Sequence, residues 1–166
     1  MPARIDEFRM PRYRELPNVG LYLDQTVKYI NTYLAPLGCM EITASMVSNY
    51  VKKGYITNPV RKQYSAEQIA YLFSIAVMKN VISMDNIVRM FAMQRTEYTA
   101  QQAYDYFCEE LENLVYFTFG MKDEVDEVGT TSTAAKDMLR SVIIAVSHVT
   151  YLNSRFDELA ADSTAG

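Results

Sequence analysis

The sequence predicts an all-α chain with, at most, one short β ribbon. Apolar residues recur at spacings of three and four along most of its 166 residues, and helix-capping Ser or Thr residues stand just ahead of several of these runs. No strand-like alternation of useful length appears. With 49% hydrophobic content the chain can bury one good core or two small ones.

Leu23, Val27, Ile30 and Leu34 define a first helix over about 21–34, which must end before Pro36 because proline excludes the helical conformation of the residue preceding it. A second, short helix starts at Thr43 or Ser45, buries Met46, Val47 and Tyr50 or Val51, and stops at Gly54, suited to a left-handed cap. Between residues 55 and 64, Ile56, Pro59, Val60 and Tyr64 are too irregular for a helix and read as a short wing. Ser65 and Gln68 form a capping box for a third helix reaching about Lys79 along Ile69, Leu72, Phe73, Ala76 and Val77. Its stripe over 71–78 reads as core. Ser83 caps a fourth helix carrying Ile87, Val88 and Phe91, and Thr99 with Gln102 opens a fifth that ends near Gly120. The acidic stretch 121–133 reads as a solvated linker. Its last threonines cap a final helix, about 132–158, along Leu139, Val142, Ile143, Val146 and Val149 or Thr150. His148 on that helix reads as a hydrogen-bonded core or interface residue, and Phe107, Tyr116, Phe117 and Phe119 read as packing against it.

Several function classes are disfavoured. Cys39 and Cys108 make no disulfide framework and read as reduced thiols, and one histidine leaves no zinc ligand set. Asp123, Glu124, Asp126 and Glu127 lack the spacing and glycine of a calcium loop. Phosphate-cradling, dinucleotide and nucleophile-elbow motifs are absent, so no enzyme and no cofactor is expected. No window approaches a membrane span, and the amino-terminal residues lack the apolar core of a secretory signal. The expected compartment is the cytoplasm.

Charge divides the chain. Residues 1–95 hold 12 Lys+Arg against 7 Asp+Glu, or +5, and residues 96–166 hold 4 against 13, or −9. The division suggests a nucleic-acid-facing region over 1–95 and an acidic helical region over 96–166 for dimerisation or effector sensing. Within the first part, residues 42–66 contain no Asp or Glu yet include Lys52, Lys53, Arg61 and Lys62. A short helix, a glycine, a basic turn and a capped helix follow one another there, the order of a winged helix-turn-helix. The reading is therefore an all-α fold with a winged helix-turn-helix head, followed by a helical dimerisation or effector region.

Residues 43–92 resemble the DNA-binding domain of MerR-family transcription regulators. VSNYVKKGYI is similar to that family's recognition helix with its tyrosine and closing glycine, RKQYSAEQIAYL to the wing end and next helix, and SMDNIVRMF to the helix after that. Over about 16–120 the chain also resembles uncharacterised bacterial proteins with a MerR-like head and a helical remainder. The resemblance implies that Tyr50 matches the tyrosine contacting the DNA backbone and that Lys62 stands where the wing usually has an arginine. Ser48 and Asn49 depart from the pattern, replacing the usual Arg and Tyr, the wing is shorter, and the link over 35–42 is longer.

Each proposed contact has a chemical reason. Lys52, Lys53, Arg61 and Lys62 would neutralise phosphates, supplying affinity without sequence information. Ser45, Ser48 and Asn49 are short polar groups able to reach base edges, Asn pairing bidentately with adenine. Tyr50 and Tyr64 would give a ring to the core and a hydroxyl to a phosphate. Competing readings stand beside these: the lysine pair also suits a helix carboxyl end, Tyr50 can be core, and Asn49 can be merely solvated. The expectation is a sequence-specific regulator binding double-stranded DNA as a homodimer through its carboxy-terminal helices, with a small-molecule or protein effector open. The alternative is a protein-interaction adaptor on the same scaffold, without DNA binding.

Overall fold

The computed structural model describes residues 2–38, 40–129 and 131–165, so Cys39 lies outside the described residues. These residues form six α-helices and three single 3₁₀ turns, with no strand among them: α1 (Leu23–Leu34), α2 (Ala44–Lys52), α3 (Ala66–Met78), α4 (Met84–Arg95), α5 (Ala100–Thr118) and α6 (Ala134–Ala165).

The caps account for the boundaries. The Thr43 hydroxyl accepts from the Met46 amide at the start of α2, and Ser65 and Thr99 form reciprocal capping boxes with Gln68 and Gln102. Ser83 accepts from the Asn86 amide to open α4. Gly54 and Gly120 adopt left-handed φ values of 77° and 76° just beyond the helix ends they close.

Apolar on nearly every face, α3 is the central element, buried from Gln68 through Met78 except at the half-buried Tyr71. It packs on α1, α4, α5 and α6. Phe73 lies in an aromatic cluster with Tyr29 and Tyr33 of α1 and Tyr104 of α5, ring centroids 6.0, 6.1 and 6.2 Å away. One hydrophobic cluster runs from Ile5 to Val146, so both sides of Arg95 contribute to the same core. The change of charge at that point is not a gap in packing.

The amino-terminal segment is strapped along α5. Arg12 makes a two-pronged ion pair with Glu112 (2.8 and 2.9 Å), which also accepts from the Met10 amide. Asp105 accepts from the Tyr13 amide, while the Tyr104 hydroxyl and Cys108 thiol both donate to the Pro11 carbonyl. Burial pushes that thiol up to about 12, as suits an unreactive core cysteine.

Several expectations are corrected. Leu21 lies outside the first helix, because its backbone pairs with Tyr64 in both directions (3.1 and 2.7 Å) and Tyr22 becomes the cap. His148 is exposed and forms no part of the core. Tyr116 packs on Phe8, to whose carbonyl its hydroxyl donates, and Phe117 is exposed, leaving Phe119 against Tyr151 of α6 and Phe107 in the core. The stretch after α5 is a largely exposed linker, as expected, tied to the body where Asn113 accepts from the Asp126 amide and donates to its carbonyl. The last helix runs to Ala165. Its face carrying Leu139, Val142, Ile143, Val146 and Thr150 is buried as the periodicity requires. No helix of the described residues is long and apolar enough to cross a membrane.

Candidate functional site

The entry to α2 is fixed by one side chain. The Asn31 carboxamide in α1 donates to the Ile42 carbonyl (2.8 Å) and accepts from the Ile42 amide (2.9 Å), two residues before the helix begins. Val47 and Tyr50 then face the core; Met46, expected to be buried, is 37% exposed, and Ser45, Ser48, Asn49 and Lys52 are exposed. The spacing of these last four, i, i+3, i+4 and i+7, places them on one side of the helix, a short polar strip ending in a cation. Lys53 is exposed at the carboxyl end.

Beyond Gly54 the Tyr55 amide returns to the Tyr50 carbonyl, and the rings of the two tyrosines are 6.4 Å apart. Tyr50 and Tyr64 are both buried, and burial raises both phenols above their ordinary value. They hold up the segment from beneath. At its tip Gln63 donates to the Val60 carbonyl (2.9 Å), and Arg61 and Lys62 carry φ of 52° and 64°. Two successive positive φ values describe a hairpin turn of the primed type, normally filled by Asn-Gly. For L-residues this conformation costs roughly 1–2 kcal/mol each.

The surroundings impose the turn. Tyr64 is tied to Leu21, and the buried Gln68 carboxamide donates to the Thr57 carbonyl and hydroxyl and to the Asn58 carbonyl (3.0, 3.0 and 3.1 Å). Gly20, at φ 83°, lies so close that a Cβ there would stand 3.0 Å from the Gln63 side chain. The result is a rigid tip carrying two exposed cations, with Val60 and Val19 74% and 80% exposed.

None of Lys52, Lys53, Arg61 and Lys62 lies within ion-pair reach of a carboxylate among the described residues. No group of His, Cys, Asp and Glu among those residues is arranged to hold a metal. The paired backbone of Leu21 and the strained tip were invisible to sequence reasoning, since neither Arg61 nor Lys62 is a residue that marks a left-handed turn. Gly20 was the one available signal.

An all-α protein with a short polar helix and an unpaired basic turn at one edge is the class this geometry defines. The chain belongs to the family described as a domain of unknown function, DUF1836, whose model matches residues 11–107, or 97 of the 166. The matched span contains the strap from Pro11, α1 to α4 and the first part of α5. No curated protein and no solved structure matches the chain significantly.

Proposed function

We propose that this protein is a cytoplasmic, sequence-specific DNA-binding transcriptional regulator with a MerR-like winged helix-turn-helix head. In this reading α2 lies in the major groove and the turn at Arg61 and Lys62 touches the flanking backbone. The observation that carries it is the polar strip Ser45, Ser48, Asn49 and Lys52 beside cations left without carboxylates in an acid-free segment. Phosphates would supply the missing counter-charge, and Asn49 and the serines would read base edges. A single head touches too few base pairs for useful affinity, so two must be joined. On α6 the exposed residues Met138, Ala145, Leu152, Phe156 and Leu159 recur at sevens, fours and threes, offering an apolar seam for a homodimer.

A salt titration of binding to random duplex tests the reading. Four contacts per head and two heads predict a slope of log K against log salt of roughly −4 to −7. Replacing Lys52, Lys53, Arg61 and Lys62 by Ala should weaken binding to every sequence, whereas Asn49→Ala should alter the preferred site. Absence of binding at low salt, or a slope near zero, overturns the proposal. It would leave the adaptor reading, which draws on the exposed Val19 and Val60 beside the turn.

A further inference from the structure

A second feature lies away from the basic turn, where the start of α5 faces the start of α6. A cleft of about 680 Å³ opens there, within the range of small-molecule sites. Lys136, from the first turn of α6, reaches into it. Its ammonium sits 5.5 Å from the centroid of the Tyr98 ring and 5.1 Å from that of Tyr106, and donates to the Thr131 carbonyl and hydroxyl (3.1 and 3.2 Å). No carboxylate pairs with it among the described residues, although Asp105 and Glu109 line the same cleft. The cation is therefore held by two ring faces and neutral oxygens.

The cage is built rather than incidental. The Tyr98 hydroxyl is hydrogen-bonded to that of Thr133 (3.0 Å), fixing one ring against the cap of α6. Tyr106 is half-buried on α5 beside Glu110. Gly129, at φ 83°, comes so close that a Cβ there would stand 2.9 Å from the lysine ammonium. Glu109 is exposed at the rim, and the surrounding half of the chain carries −9, which favours the approach of a cation.

We infer that this cleft binds a small organic cation of the alkylated ammonium class, and that Lys136 is its internal placeholder. Two tyrosine faces with carboxylates nearby select for a diffuse positive charge with an apolar skin. The lysine chain is flexible and can swing to solvent, so an entering cation takes its place between the rings and frees Thr131 from α6. Binding and release of Thr131 from Lys136 are thereby one event. The inference is independent of DNA binding.

Calorimetric titration of the full chain with choline at low salt tests it. Saturable binding is expected, with no comparable binding of choline's uncharged carbon isostere. Lys136→Met removes the placeholder and should tighten binding by about 3- to 30-fold, the worth of a cation–ring contact. Tyr106→Leu should abolish binding while Tyr106→Phe retains it. The inference is overturned if neither the wild type nor Lys136→Met saturates, if the uncharged isostere binds equally, or if Lys136→Met binds no tighter. Should Tyr106→Leu fail to fold, the isostere and Lys136→Met comparisons decide the matter unaided.

Discussion

Lys52, Lys53, Arg61 and Lys62 stand exposed with no carboxylate in reach among the described residues, whereas each of the four cations after residue 95 is engaged. Lys122 is held by Asn113 and Asp126, Lys136 by two tyrosine rings, Arg140 by Glu110 and Arg155 by Glu158. The more acidic half uses its few cations internally. The basic segment leaves its own exposed to solvent. Net charge alone would not separate these cases, because an exposed cation and a caged one count equally in a sum. Their surroundings decide which is available for binding.

Charge differs between the regions, but the core does not, and the largest effect tests that statement. Phe73→Ala removes the ring where α1, α3 and α5 meet and should cost about 3–5 kcal/mol. Denaturant unfolding followed by tyrosine fluorescence and by circular dichroism should then shift as one transition. Two separated transitions would mean that the halves fold independently and that the shared cluster is incidental.

A sharper probe lies in the acidic half. Glu110 is buried, and burial raises its carboxyl above the ordinary value of 4.5, with Arg140, Asn113 and Tyr106 pulling the other way. Its stabilising contribution is complete below the ordinary carboxylate pKa and is lost as pH rises through the raised value. Glu110→Gln, neutral at every pH, should therefore raise the unfolding midpoint at pH 7, and the difference from wild type should close on acidification. A difference that stays constant with pH would show that the charge is not what costs stability there.

The smallest effect has a sign opposite to most substitutions. Replacing Arg61 by Asn and Lys62 by Gly puts the preferred residues into the primed turn and should stabilise the protein by about 1 kcal/mol. The same double variant should reduce the salt slope of duplex binding. Stability gained while binding is lost would mark the tip as selected for its cations; a loss of both would mean that the side chains themselves hold the turn.

Local chemistry made much of the fold legible. Thr43, Ser65 with Gln68, Ser83 and Thr99 with Gln102 start the helices expected of them, because each cap is settled within four residues. The long-range contacts were not legible. Phe8 and Met10 are core residues in a segment whose charged neighbours gave no helical or strand period, and their burial depends on Glu112 and Tyr116 about a hundred positions away. His148 stands between buried Ser147 and half-buried Val149 but off the stripe of Leu139, Val142, Ile143, Val146 and Thr150, so the apolar run around it misled where the helical period alone points it outward. At the basic segment, the exposure of Ser45, Ser48 and Asn49 agrees with the helical period. The strained tip and the cage around Lys136 arise from tertiary packing that no short window encodes.

The Asn31 carboxamide answers both polar groups of Ile42 at once. Two bonds between one side chain and one residue resist rotation about either alone, so they fix the angle at which Ser45, Ser48 and Asn49 are displayed. Asn31→Asp would keep the acceptor and delete the donor. The chain would then have a hinge where it now has a fixed bracket.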